Sequence, residues 1–142
     1  MSDGWFALGG AALGFASAFG VEWYRQRADK RTTGALFQRA TLLDLQETTD
    51  SFLKAMADVH RHTAPGAVAL PDGFDVMAAQ DHARELSRRI RILGSRATDR
   101  QVERMAGEVF GLAYGALAAS TSMDPTYKAW EKLNTYIGTL VR

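Results

Sequence analysis

Few side chains in this chain of 142 residues could hold a metal ion, since it has three histidines and no cysteine. Asp58, His60 and His62 form the tightest group. Residues two apart on a helix point about 200° away from each other, so these two histidines cannot share one ion. A site built from His60, His82 and an acid would require two neighbouring helices. We expect no metal site and interpret the histidines as solvated residues at helix ends.

Acid–base catalysis would require carboxylates that are buried and have raised pKa values. Asp44, Glu47 and Asp50 recur every three residues, and their surroundings predict a solvated helix face. The motifs GxxxxGK[ST], GxGxxG and GxSxG are all absent from the sequence, so phosphate-binding loops and nucleophile elbows have no sequence support. We expect neither an enzyme nor a bound cofactor.

Arginine is concentrated between residues 84 and 104, where seven arginines accompany two Glu and one Asp. This segment either contacts anionic lipid headgroups or an acidic protein partner, or forms the solvated face of a helical hairpin. The formal net charge of the whole chain is only +1. Because nucleic-acid binding depends on many uncompensated cations, we expect no nucleic-acid partner. The seven are Arg84, Arg88, Arg89, Arg91, Arg96, Arg100 and Arg104.

The most unusual feature is the uncharged stretch at residues 4–21, which reads GWFALGGAALGFASAFGV. As a helix, these eighteen residues would span roughly 27 Å, close to the thickness of a bilayer's hydrocarbon core. Trp5 lies at one end and Trp23 with Tyr24 at the other, where aromatic rings favour the headgroup layers. The stretch therefore predicts an N-terminal transmembrane helix.

The charges that flank this stretch predict its orientation. All 17 Lys and Arg follow it, beginning with Arg25 and Arg27, and cations near a spanning segment favour the cytoplasmic side. A secretory signal would carry its cations before the apolar stretch instead. We therefore expect an uncleaved single-pass anchor in the plasma membrane, with the N-terminus outside and the rest of the chain in the cytoplasm.

Small residues recur within the anchor, with Gly10, Gly14 and Ala18 spaced by four. Such faces allow helix backbones to approach closely in a membrane, which favours a homo-oligomer, although the spacing also arises by chance in glycine-rich spans. An alternative hypothesis is an oligomeric pore-forming or membrane-permeabilising protein, such as a toxin, an immunity effector or a phage lysis factor.

Apolar residues spaced by three and four after the anchor predict an all-α protein with a cytoplasmic four-helix bundle. We divide the chain into an anchor (1–24), a basic juxtamembrane segment (25–34) and a bundle domain (35–142). The first bundle helix extends to Pro65–Gly66, and the bundle contains no predicted strand. Its apolar stripe comprises Ala35, Leu42, Leu45, Thr49, Phe52, Met56 and Val59.

Capping residues predict where the other three helices begin and end. Asp75 caps the second, which is expected to end at Gly94, and Thr98 with Gln101 forms a capping box for the third. The fourth is expected to begin with Asp124 as its cap and Pro125 at its first position. Its predicted apolar stripe is Tyr127, Trp130, Asn134, Ile137 and Val141, widened by Leu133 and Leu140, and the predicted close-packing glycines of the third helix are Gly107, Gly111 and Gly115.

Three features of the sequence together indicate a resemblance to known proteins. They are the VEWYRQR end of the anchor, the LSRRIRILGS segment and a closing helix around Trp130. With them the chain resembles uncharacterised small single-pass membrane-anchored helical proteins of actinobacteria and their phages. The resemblance implies one N-terminal anchor and a cytoplasmic helical domain, and it brings no catalytic residues. The sequence therefore favours a non-enzymatic protein that acts through a protein partner or its own copies at the membrane.

Overall fold

A computed structural model describes residues 25–64, Gly66 and 73–142, and for residues 3–24 only their inclusion in the first helix is given. The helices are α1 (Asp3–Thr63), α2 (Val76–Arg96), α3 (Arg100–Ala119) and α4 (Asp124–Leu140). No strand occurs among the described residues, so the all-α prediction is confirmed. The chain divides into two compact units, Met1–Phe37 and Gln38–Arg142.

The second unit has a hydrophobic core to which α1 contributes its largest side chains. Leu45, Phe52 and Val59 are completely buried, and Leu42 and Met56 are nearly so, which confirms the predicted stripe within this unit. Buried Thr49 fits the stripe because its hydroxyl donates a hydrogen bond of 2.7 Å to the carbonyl of Leu45. Ala35, the first residue of the predicted stripe, is exposed.

The core-facing residues of α3 and α4 are mostly smaller, and those of α4 agree only in part with the prediction: Leu133 and Ile137 are buried as predicted, but Tyr127 and Trp130 are not. Tyr127 is 42% exposed and Trp130 is only half-buried. Both rings line a surface groove between α1 and α4, and the neighbouring Thr126 and Ala129 face the core instead. The buried residues of α4 are Thr126, Ala129, Leu133 and Ile137, and those of α3 are Val102, Ala106, Val109, Ala113 and Ala116.

The ends of α2 agree with the prediction on one side only. The Asp75 carboxylate accepts hydrogen bonds from the amides of Met77 (2.8 Å) and Ala78 (3.1 Å), which confirms it as the N-cap. The helix does not end at Gly94 but continues to Arg96. Gly94 is buried and lies close to α3, since a Cβ on it would lie 3.7 Å from the Cα of Glu103. Its small size therefore permits close packing.

The first residues of α3 and α4 also differ from the prediction. Asp99, not Thr98, is the N-cap of α3, and its carboxylate accepts a hydrogen bond of 2.7 Å from the Gln101 amide. At α4, Asp124 is the first helical residue, not the cap, and its amide donates to the Ser122 hydroxyl at 3.1 Å. In both cases a side chain just before the first helical residue accepts a hydrogen bond from an amide of the first turn: Asp99 does so in α3 and Ser122 in α4.

The predicted close packing at Gly107, Gly111 and Gly115 is wrong for the described part of the chain. All three glycines are exposed, and a Cβ added to any of them would meet nothing within 4 Å. The three lie on the outer face of α3, whereas the core-facing positions of that helix are occupied by alanine and valine. Spacing by four alone did not show which face of the helix they occupy.

Gln38 connects the start of the second unit to the turn between α2 and α3. Its Nε2 donates to the Arg96 carbonyl at 3.2 Å, and its Oε1 accepts from the Thr98 amide at 3.0 Å. These bonds explain why Thr98 does not cap α3, because its amide and hydroxyl both face Gln38. One side chain thereby joins α1 to the turn between two other helices.

We expect Gln38→Ala to lower the free energy of unfolding by about 1 kcal/mol, because its hydrogen bonds with the Arg96 carbonyl and with the amide and hydroxyl of Thr98 are lost at a partly accessible site. Urea denaturation followed by circular dichroism measures this change. Gln101→Ala is the matched control, since the Gln101 side chain is exposed and its hydrogen bond to Asp99 uses only the backbone amide. An equal loss in both variants would contradict a specific role for Gln38.

Candidate interaction surface

Most of the residues predicted for membrane contact lie outside the described residues. These are Trp5, Trp23, Tyr24, Gly10, Gly14 and Ala18. Arg25 and Arg27 are described, and both are exposed on α1 in the first unit. In the described part of the chain, no helix is long and apolar enough to cross a membrane; the predicted span, residues 4–21, lies outside that part.

The arginine-rich segment forms the outer face of α2 and the start of α3. All seven of its arginines are exposed. Three of them pair with carboxylates: Arg84 with Asp81 at 2.8 Å, Arg88 with Glu85 at 3.4 Å, and Arg89 with Asp44 of α1 at 2.6 Å. Exposed pairs of this kind contribute little to stability. Their effect here is to neutralise part of the basic face.

The other four arginines form no ion pair with any residue that the structure describes. These are Arg91, Arg96, Arg100 and Arg104. Arg91 instead lies over the ring of Phe110, with its guanidinium carbon 4.7 Å from the ring centroid. This cation–π contact orients the guanidinium while leaving its N–H donors available to another ligand.

Of these arginines, Arg91 lines a surface groove of about 510 Å³ that lies between α2 and α3. Its α2 side includes Ile90 and half-exposed Ile92, and its α3 side includes Phe110. Gly94 and Gly107 also line it, so no side chain fills the space between the two helices at these positions. The complete lining is Ile90, Arg91, Ile92, Gly94, Ser95, Glu103, Ala106, Gly107 and Phe110.

An aromatic cluster supports the groove from the core side. The ring of Phe110 lies 6.1 Å from that of Phe52 and 4.9 Å from that of Tyr114, measured between centroids. Phe52 itself is completely buried on α1. Rings at such distances stabilise each other beyond the area they bury. The position of Phe110 under Arg91 is therefore fixed by the core.

Asp99 and Tyr136 meet near the α2–α3 turn, where the phenol donates a hydrogen bond of 2.8 Å to the carboxylate. This bond, together with the one from the Gln101 amide, lowers the pKa of Asp99 below its usual range. The same bond, together with partial desolvation, raises the pKa of Tyr136. Both carboxylate oxygens of Asp99 thus accept hydrogen bonds from α3 and α4, and Asp99 forms no ion pair with a described arginine.

This pair predicts a pH-dependent stability. The lowered pKa of Asp99 means that its contribution is present above the carboxyl's unfolded pKa and is lost as pH falls through the folded value. We therefore expect Tyr136→Phe to be less stable than wild type at neutral pH, and the difference to shrink toward pH 3. Urea unfolding across this range measures it, with Tyr127→Phe as the control. A difference that is independent of pH in acid would contradict the assignment.

A second groove, of about 550 Å³, lies between α1 and α4 and is lined by Leu53, Ala57, Tyr127 and Trp130 among others. The indole Nε1 of Trp130 donates to the Asp50 carboxylate at 2.6 Å. The prediction that Asp44, Glu47 and Asp50 form a solvated face is therefore confirmed for Glu47, whereas Asp44 and Asp50 are only partly exposed and each has a partner on another helix. Asp50 accepts a hydrogen bond from Trp130, and Asp44 forms an ion pair with Arg89. Glu47 is exposed.

The histidines do not come together. His60 donates to the Thr121 carbonyl at 2.7 Å, His62 packs against Phe74 with centroids 4.5 Å apart, and His82 is exposed on α2. No group of three potential ligands occurs among the described residues. His60 and His62 are thus half-buried partners of the segments that follow α1 and α3, and are not simply solvated as predicted.

No protein-family model, curated protein or solved structure matches this chain. Evidence about function therefore comes from the surface that α2 and α3 form. Sequence reasoning identified the arginines but missed the groove beside them. The available signal was Ile92, an apolar residue that directly follows Arg91 and is not one of the core-facing residues Ile90 and Leu93 of α2, as an exposed contact residue would be.

Proposed function

We propose that this protein is a membrane-anchored helical protein that acts at the cytoplasmic face by protein–protein contacts. Residues 4–21 form the transmembrane anchor, with Trp5, Trp23 and Tyr24 at its interfaces, and the bundle is the recognition domain. The observation that carries the proposal is the α2–α3 groove, where exposed Ile92 and part-buried Phe110 lie beside Arg91, which has no carboxylate partner among the described residues. Interaction sites commonly combine an apolar centre with a polar rim enriched in arginine.

A photo-crosslinking experiment in membranes tests this function. Benzoylphenylalanine replaces Ile92 in the groove of the full-length protein, and in a matched variant it replaces exposed Lys128 on α4. We expect irradiation to yield protein adducts from position 92 that are absent or much weaker from position 128. Equal adducts, or none from position 92, would contradict a recognition role for this surface.

Membrane permeabilisation is the second candidate function, and the spacing of Gly10, Gly14 and Ala18 is the observation that favours it. Helices that pack through such faces form oligomers, and an oligomer that encloses a channel would release vesicle contents. Dye leakage from liposomes containing the full chain decides between the two functions. Leakage that is abolished by Gly14→Leu would favour the pore, whereas absence of leakage would leave the recognition function.

A further inference from the structure

We propose that the α2–α3 groove binds an acidic amphipathic helix of a partner protein. This inference deepens the proposed function and rests on it, because it assigns a ligand class to the recognition surface. The groove lies between two helices and has apolar lining residues on both, and partner helices commonly bind such grooves through residues at positions i, i+3, i+4 and i+7.

The arginines beside the groove set the charge of its ligand. On α3, Arg100 precedes the lining residues Glu103 and Gly107 by three and seven positions, so it shares their face. Arg104 precedes Gly107 by three, and Arg91 is itself a lining residue. Glu103 is the one acid in the lining of this groove. Guanidinium groups bind carboxylates in bidentate geometry.

The apolar part of the groove distinguishes a peptide helix from other anionic ligands. Lipid headgroups could pair with the guanidiniums, but they have no apolar side chains to cover Ile92 and Phe110. A helix with leucines on one face and glutamates on its flanks can cover the apolar lining and pair with the guanidinium groups at the same time. Open space at Gly107, where an added Cβ would meet nothing within 4 Å, allows such a helix to approach α3 closely.

Peptide binding to the full-length protein in neutral detergent micelles tests the proposal. The probe is a fluorescent eighteen-residue peptide with leucine at helical spacing and glutamate elsewhere, and the reference peptide has glutamine in place of glutamate. We expect the glutamate peptide to bind at least tenfold more tightly than the glutamine peptide, because each charge pair that forms in a desolvated groove adds to the affinity. Equal affinities would overturn the proposal.

Matched variants locate the binding site on the protein. Arg100→Glu/Arg104→Glu reverses two charges beside the groove, and Lys128→Glu/Lys132→Glu makes the same change on the exposed face of α4. We expect the first to weaken binding of the glutamate peptide at least tenfold and the second less than twofold. Ile92→Ser, at an exposed position, should weaken both peptides. Equal effects of the two double variants would overturn the assignment of the site.

Two further outcomes would assign the groove to another occupant and overturn the proposal. If peptide binding seen in nanodiscs of phosphatidylcholine disappears when phosphatidylglycerol is included, lipid headgroups occupy the arginines. If the arginine variants change the oligomer size of the full chain without affecting the peptide, a second copy occupies the groove. The peptide-binding measurements in micelles do not depend on how the protein is anchored, so failure of the inference is distinguishable from failure of the membrane assignment.

Discussion

Phe52→Ala is expected to destabilise the bundle by about 3–5 kcal/mol, because it removes a completely buried ring and leaves a cavity. The ring lies beside those of Phe110 and Tyr114, so their mutual contacts are lost as well. A loss of this size is a large share of the stability of a small domain. Urea denaturation followed by circular dichroism measures the change.

The matched control for this prediction is Met77→Ala on α2. Met77 is 63% exposed, and substitutions at exposed positions usually change stability by less than about 0.5 kcal/mol. Phe52→Ala should also weaken peptide binding at the groove, since Phe110 loses its support from the core. A Phe52 variant as stable as the Met77 variant would show that the core described above is not the one that holds the bundle together.

Leu13→Arg is expected to remove the protein from the membrane. Leu13 lies at the centre of the uncharged stretch, where replacing an apolar residue with arginine makes insertion less favourable by about 3 kcal/mol. The stretch contains five glycines and five alanines, so its insertion is only marginally favourable. We therefore expect the fraction that floats with membranes in a sucrose gradient to fall more than tenfold.

Gln26→Arg serves as the control, because it adds the same charge just after the predicted span. Arginine at this position lies on the flank that already carries Arg25 and Arg27, and it should leave flotation unchanged. Flotation of Leu13→Arg at the wild-type level would show that residues 4–21 do not form the anchor. Loss of flotation in both variants would indicate a surface attachment through charge instead of a span.

The elements of the bundle could be predicted from the sequence because its helices have regular apolar spacing. The core positions of Leu45, Phe52 and Val59 were predicted correctly, because large apolar residues on one face of a helix become buried when that face packs against the core. In α4 the spacing supports two adjacent stripes, and the choice between Thr126–Ala129 and Tyr127–Trp130 depends on how closely the neighbouring helices approach. The distance between the helices is determined only when all four helices pack together, so it could not be predicted from the sequence of α4.

The candidate site was predictable only in part, for a related reason. Arg91, Arg100 and Arg104 are recognisable as a basic segment, but which of the arginines find carboxylates depends on other helices. Asp44 neutralises Arg89 from a position 45 residues away in the sequence, and Tyr136 engages Asp99 from 37 residues away. The unpaired arginines and the groove beside them therefore emerge only when α1, α2, α3 and α4 are assembled.

Cysteine accessibility in spheroplasts tests the central claim most directly, because the natural chain has no cysteine. Ser2→Cys places a thiol before the predicted span, and Thr135→Cys places one on the exposed face of α4. If residues 4–21 cross the membrane with the bundle inside, a membrane-impermeant maleimide labels the first variant in intact spheroplasts and the second only after lysis. Labelling of Thr135→Cys before lysis, or no labelling of Ser2→Cys, would contradict the account.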